Sequence, residues 1–285
     1  MLPSITATAA RRFANRSHIP LQTFVVLAKT GFRRYSTYRQ ATLAGIFTNS
    51  VFGYLRCYVM LAVAAGGGGT VAGYGGAQLV SYVWVGQGML ATIGIWGDTE
   101  LATRIRTGAI VSDLLRPVPP VTTYLATDLG RAGFALLTRF AAPVLVGALA
   151  FDLYVPSHGA TYPLAAVSIV LAVILSFGCR YIVNAAAYWL LDSRGPQIAW
   201  MLASSVLGGL YFPLRFLPGW LATTLWVATP FPSLLQTPLD VIAERVTGHA
   251  AAELVVLQLF WVVAMLAFAA AVQRRGERKL VVQGG

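Results

Sequence analysis

YPLAAVSIVLAVILSFGCRYIVNAAAYWLL, residues 162–191, is thirty positions long and contains a single charged side chain, Arg180. An α-helix rises 1.5 Å per residue, so about 20 apolar residues cross the roughly 30 Å of hydrocarbon in a bilayer. This run is long enough to cross and too apolar to lie in water. Five further stretches read the same way: Thr42–Ala65, Gln78–Trp96, Thr123–Phe151, Pro196–Leu217 and Glu253–Val272. Backbone groups at that depth find no water, and the runs lack the dyad alternation of a membrane barrel, so they are expected to be helices. The expected fold is an all-α integral membrane protein with six transmembrane helices.

Composition agrees. Hydrophobic residues make up 57 % of the 285 positions and charged residues only 11 %, against roughly 25 % charged in a soluble domain. Disorder and a collagen-like repeat are excluded by the same figures. The net charge of +11 reads as a topology signal, because basic loops favour the anionic cytoplasmic surface; no nucleic-acid partner is implied. Cys57 and Cys179 lie in apolar stretches and read as buried thiols.

Fifteen of the 21 Lys and Arg residues fall on one face of the six-span arrangement: seven before the first span, Arg104, Arg106 and Arg116 in the second connection, Arg194 in the fourth, and four after the last span. The other face has only Arg215 and Arg245, together with Asp152, Asp240, Glu244 and the run Gly66–Gly69. The positive-inside rule therefore places both termini in the cytoplasm, and the expected location is a bacterial plasma membrane crossed several times. The domain plan is a mobile basic tail over 1–20, without the apolar core of a secretory signal, a transmembrane domain over 21–273, and a basic cytoplasmic tail over 274–285.

Three segments depart from simple spans. Phe24, Ala28, Phe32 and Tyr35 recur at helical spacing among Lys29, Arg33, Arg34 and Arg39, a pattern that suits a helix in the cytoplasmic interface, as a basic anchor or as a docking element. The connection Asp98–Pro120 offers Asp98 as an N-cap, Glu100 in the first turn, an apolar face of Leu101, Ile105, Val111, Leu114 and Leu115 interrupted at Gly108, and a stop at Pro117, Pro119 and Pro120. Its apolar face must meet either the membrane surface or another protein. The fifth span is interrupted at Gly208-Gly209 and followed by Pro213, Pro218, Pro230, Pro232 and Pro238. The apolar stretch Gly219–Phe231 between them is too short to cross, and reads as a re-entrant half-helix at the external end of a pathway or as a proline-rich loop on the outer surface.

Charged residues at depth are expensive and mark functional sites by default. Asp128 and Arg131, three apart, can pair on one helix face; Arg180 has Asn184 one turn on; Arg139 has only Thr138 beside it; Arg56 stands in the first span. Structural pairing and substrate contact both remain open for this set. Chemistry of other kinds is missing. Gly66–Gly69 with Thr70 lacks the lysine of a phosphate cradle, and His18, His158 and His249 have no metal-ligand spacing. No nucleophile with its base and no paired carboxylates occur. The chain reads as a non-catalytic subunit without cofactor or metal, and work would have to be supplied by another polypeptide.

Ile105-Arg106-Thr107-Gly108 through Leu114-Leu115-Arg116-Pro117, and Gly208-Gly209-Leu-Tyr-Phe-Pro213 through Pro218-Gly-Trp220 to Pro230-Phe-Pro232, in that order on a six-span frame, resemble the ABC-2-type permease family, in the bacterial branch where permease and ATPase are separate proteins. The departures are a longer N-terminal tail and a double glycine where a Ser-Gly pair is usual. The resemblance implies that Arg104–Arg116 is a coupling helix seated in an ATPase subunit, with Leu101, Ile105, Leu114 and Leu115 packing there and Arg104, Arg106 and Arg116 as charged contacts around Gly108 and Pro117. It implies Asp192–Gln197 as a smaller contact and Phe24–Arg39 as the interface helix. It also implies an ATPase dimer that binds the ATP and Mg, a second permease chain, like or unlike, and an external gate over Gly208–Pro232.

The expected function is thus the membrane subunit of an ATP-driven exporter of a lipid-like or hydrophobic substrate. Trp84, Trp96, Trp220 and Trp226 would rim the pathway, or serve only as interfacial anchors, with Arg139 and Arg180 as pathway charges. The alternative is an ion-coupled secondary transporter, which needs acidic or His sites at the midplane. A lipid-modifying membrane enzyme lacks a catalytic set.

Overall fold

The computed structural model describes residues 20–190 and 192–280. The chain opens with α1 (Leu21–Ser36), bends at Thr37–Tyr38, and continues as α2 (Arg39–Gly66). A two-stranded hairpin, β1 (Thr70–Val71) and β2 (Tyr74–Gly75), leads into α3 (Gly76–Ile93). Two short helices follow, α4 (Glu100–Arg106) and α5 (Ile110–Leu114). Next, α6 (Pro120–Ala135) runs through a π-helical turn, Leu136–Phe140, into α7 (Ala141–Ala150). The rest is α8 (Thr161–Ala185), α9 (Arg194–Leu207), α10 (Gly219–Ala228), α11 (Gln236–Ile242) and α12 (Gly248–Glu277).

Four helical runs are long and apolar enough to cross a membrane: Arg39–Gly66, Pro120–Ala150, Thr161–Tyr188 and Gly248–Glu277. They coincide with the first, third, fourth and sixth expected spans, except that Leu191 lies outside the described residues. The last helix extends beyond the expected Val272, with Arg274 and Arg275 in its final turn, where positive charge suits the helix dipole. Residues 274–277 are therefore helix rather than tail; the rest of the expected tail to 280 is described and 281–285 is not, while the expected tail over 1–20 lies outside the described residues but for Pro20.

The second and fifth expected spans differ. Helix α3 has 18 residues, about 27 Å, and is buried on all sides, from Leu79 to Leu90 without a break. It is the centre of the molecule, in contact with α2, α6, α7, α8 and α11. Leu79, Val83, Trp84, Met89 and Ile93 are wholly buried in its core cluster. Helix α9 has only 14 residues, about 21 Å, because the chain turns at Gly208 and Gly209 instead of continuing to Leu217. Trp84 is an internal column rather than a pathway rim: it stands edge-on to Tyr54 at 5.1 Å between ring centres and is 5.9 Å from Phe151.

Helix α1 does not lie loosely on a surface. Its half-buried face, including Phe24, Ala28, Phe32 and Tyr35, is laid against α6, and the two backbones meet at paired glycines. A Cβ on Gly31 would stand 2.1 Å from the Thr127 carbonyl oxygen, and one on Gly130 1.9 Å from that of Ala28. The rings of Phe32 and Phe134 close the contact edge to face at 5.5 Å. Small residues at a helix crossing allow this approach, as in membrane helix pairs generally. Replacing Gly130 by Ala is expected to lower stability by about 1–3 kcal/mol, the usual penalty of overpacking, read as a fall in melting temperature of the purified protein. Gly133→Ala, whose new Cβ would meet only Phe32 at 3.8 Å, is expected to leave it unchanged.

Candidate functional site

The connection between α3 and α6 folds into a closed elbow. Gly108, at φ +75°, takes a left-handed conformation that strains other residues, and this turns α5 back on α4. Asp113 locks the turn: its Oδ2 accepts from Arg104 Nε at 2.8 Å and from the Tyr124 hydroxyl at 3.0 Å. Arg104 Nη2 also donates to the Ala109 carbonyl and to Ser112 Oγ. Asp98 precedes the N-cap, Thr99, and accepts from the Glu100 amide at 3.2 Å.

The apolar face of the elbow is turned inward. Leu101, Ala102, Ile105 and Ile110 are buried against Phe177, Tyr181 and Ala185 of α8 and Ala269 of α12, with Leu114 half-buried beside them. Leu101 and Ile105 thus belong to this chain's own core, and Arg104 is spent on Asp113. What the elbow presents outward is Arg106, Gly108, Leu115, Arg116 and Pro117, all exposed, with Leu115 at 80 %. Arg34 of α1 reaches the elbow through Glu100 at 2.7 Å. In the α8–α9 turn Arg194 pairs with Asp192 at 2.6 Å, both in solvent.

Behind the elbow lies a buried charge triad. Asp128 accepts from Arg131 Nε at 2.7 Å and from Arg180 Nη2 at 2.8 Å, and all three residues are at most 8 % exposed. Arg131 goes further and donates to the Ala91 and Thr92 carbonyls at 2.6 and 3.1 Å. These are C-terminal carbonyls of α3 without a helical partner, where a cation is favoured. Asn184 receives the Ala102 amide at 3.3 Å and donates to the Asp98 carbonyl at 3.0 Å, and Trp200 Nε1 donates to the Ile95 carbonyl at 2.8 Å. The strand of chain from α3 into the elbow is therefore held by α6, α8 and α9 together.

The opposite end of the bundle holds a second polar cluster, around the turn that ends α9. Gly209 has φ +85°, and a Cβ there would stand 2.7 Å from the Tyr82 hydroxyl. Tyr82 donates to the Gly209 carbonyl at 2.6 Å, and Gln236 Oε1 accepts the Leu214 amide at 2.7 Å. Asp240, wholly buried, accepts from Gln236 at 2.7 Å, from Arg215 at 2.6 Å and from Tyr74. Arg56 of α2 donates to the Leu210 carbonyl. Pro213 and Pro218 precede the turn Leu214–Phe216 and α10, and Pro230 precedes the turn Phe231–Ser233 that contains Pro232. Trp220 is 73 % exposed on α10, whereas Trp226 is buried under Arg215. Nearby, Glu244 staples the connection between α7 and α8, accepting from Tyr154, Ser157, His158 and Thr161 at 2.6–3.0 Å. Burial works against its ionisation, but these hydrogen bonds outweigh it and hold the carboxyl well below the usual carboxylate range.

Arg139 stands apart. It sits in the π turn and donates only to the Ala41 carbonyl, at 2.8 Å. No carboxylate among the described residues lies within ion-pair distance of it. Sequence reasoning missed Tyr124, Asp113 and Gln236, whose roles come from partners distant in the chain, and it read Asp240 as a loop acid.

Four helical runs long and apolar enough to cross a membrane, packed around the enclosed α3, define a multi-pass membrane protein. The chain belongs to the ABC-2 family of transporter proteins, whose family model matches residues 51–284. It is an ABC-2 type permease, a membrane component of ABC transporters. Comparison with curated proteins finds no match.

Replacing Asp128 by Ala leaves two guanidiniums buried without their acid, and is expected to cost about 3–5 kcal/mol, measured as loss of thermal stability and of monodisperse protein. For Glu244 the sign follows from its lowered pKa: its contribution is complete above the ordinary value near ~4.3 and is lost as pH falls toward the lowered one. The difference in melting temperature between the native chain and Glu244→Gln is expected to be flat from pH 8 to about 5 and to shrink below about 4.

Proposed function

We propose that this permease is the membrane-spanning subunit of an exporter driven by a separate pair of ATPase subunits, which bind the ATP and Mg. The exposed face of the elbow, Arg106, Leu115, Arg116 and Pro117, is the surface those subunits grip. The observation that carries this reading is the elbow's construction: it is closed on itself through Asp113 and fastened to α3, α6 and α8 through Asn184 and Asp128. A push on it is delivered to the bundle instead of being absorbed by a slack loop. The Asp192–Gln197 segment, with Asp192, Arg194 and Gly195 exposed, serves as the second, smaller contact.

In this reading α3 and α9 complete a six-span unit, with both termini on the cytoplasmic side. Two permease chains face each other across the pathway, and the Gly208–Pro232 segment, with α10 as a re-entrant half-helix, closes its outer end. Movement of the elbow rocks the spans between two arrangements, as rigid-body transitions require differential contacts in each state. The substrate is lipid-like, in line with apolar walls and exposed apolar residues on α2 and α12. An ion-coupled secondary transporter would need a carboxylate free to take up a proton or ion, whereas Asp128 and Asp240 are each held by arginine.

Charge reversal at Arg106 or Arg116 is expected to reduce co-purification of the partner ATPase about tenfold, equivalent to about 1.4 kcal/mol; the Arg106 variant is expected to keep the melting temperature of the permease, whereas Arg116 also lies 3.9 Å from Asp113 and its reversal is expected to lower it slightly. Asp113→Asn is expected to lower that temperature. Normal ATPase retention by both reversal variants would overturn the docking assignment.

A further inference from the structure

The pocket around Arg139 is the feature that neither the fold nor the coupling reading uses. A cavity of about 510 Å³ opens where the α1–α2 bend, the end of α3 and the π turn meet, within the size range of small-ligand sites. Three guanidiniums line it, those of Arg131, Arg139 and Arg180, together with Asp98. Arg131 and Arg180 share Asp128, but Arg139 has no acid, and its buried Nε has no partner among the described residues. The rest of the wall is amphipathic: Thr42, Thr48 and Asn49 on one side, Leu90, Phe134 and Trp96 on the other.

The backbone makes room for this charge. A Cβ on Gly45 would lie 2.4 Å from Arg139 Nη2, so only glycine lets the guanidinium rest against α2. The π turn that carries Arg139 is a local irregularity of the kind that recurs at functional sites. A charge among membrane helices is costly unless something compensates it, and among the described residues Arg139 has the Ala41 carbonyl and no acid in ion-pair range.

We infer that the Arg139 cavity is a loading site for an amphiphile whose head carries a net negative phosphate, the head facing Arg139 and the apolar part lying along Phe134 and Trp96. This rests on the transporter reading and adds the class of its cargo.

Trp96 lines the cavity and is half-exposed, which makes it the reporter. The full-length chain is placed in vesicles of brominated phosphatidylglycerol or brominated phosphatidylcholine, and the quenching lost in Trp96→Phe is taken as the cavity signal. That signal is expected to favour the anionic lipid by about fivefold, as one unpaired arginine near a membrane surface provides. Arg139→Gln is expected to bring the preference to near unity, Arg139→Lys to keep much of it, and millimolar inorganic phosphate to leave it intact. Gly45→Ala, which keeps every charge but displaces the guanidinium, is expected to reduce it and carries the test if Arg139→Gln does not fold. Equal quenching by the two lipids, or a preference untouched in both Arg139→Gln and Gly45→Ala, overturns the site. Reversal by phosphate alone overturns the amphiphile and leaves a free-anion site in its place. ATPase co-purification is read on the same preparations, so a failed lipid preference with normal ATPase retention rejects the cargo without touching the transporter.

Discussion

The structure depends on one carboxylate. Asp128 is the acid between Arg131 of α6 and Arg180 of α8, and through Arg131 it also fixes the last turn of α3. Removing two guanidiniums and a carboxylate from water is a large expense, so three helices are committed to one relative placement. The excess positive charge is offset in part by the carbonyl end of α3, whose dipole points at Arg131. Helices without hydrophobic drive between them in lipid need such polar fastenings or close packing to define an interface. This protein uses both, the triad between α6 and α8 and the glycine pair between α1 and α6.

From that fixed point α3 runs as a rod through the molecule. At one end it leads into the elbow; along its length Tyr82, with Tyr74 just before the helix, reaches the cluster that pins the turn after α9. The two ends of the bundle are therefore linked by one enclosed helix and not only by lipid-facing spans. The packed connection from the break at Gly209 to the elbow is interrupted only at residues 94–99, which Asn184 and Trp200 hold through the Asp98 and Ile95 carbonyls.

Much of this was legible in the sequence, and the failures are instructive. The lipid-facing helices were found because long apolar runs report contact with hydrocarbon, and the Asp128–Arg131 pair because spacing of three on a helix needs no tertiary knowledge. Helix α3 reads as a span along the sequence, but it is not among the four lipid-facing runs, and its buried Ser81, Gln87 and Thr92 reflect a helix that meets protein on every side. The apolar face expected over Leu101, Ile105, Val111, Leu114 and Leu115, against membrane or a partner, is split: Leu101 and Ile105 are covered by α8 and α12, and Leu115 is exposed. Periodicity shows that a face must be buried and is silent on what buries it. Asp240 looked like a loop acid because nothing local reveals that α11 folds inward, and the union of Arg180 with Asp128, 52 positions apart, is equally invisible along the chain.

The glycine crossing of α1 on α6 has a mechanical corollary. With backbones in contact, the two helices cannot slide or roll independently, so a tilt of α6 sweeps α1 with it, and Arg34 carries that displacement to Glu100. The elbow is thus fastened twice, once through Asn184 and the polypeptide itself, and once, more weakly, through the exposed Arg34–Glu100 pair. Such redundancy confers tolerance: severing the exposed Arg34 tether leaves the inner fastening at Asn184 in place.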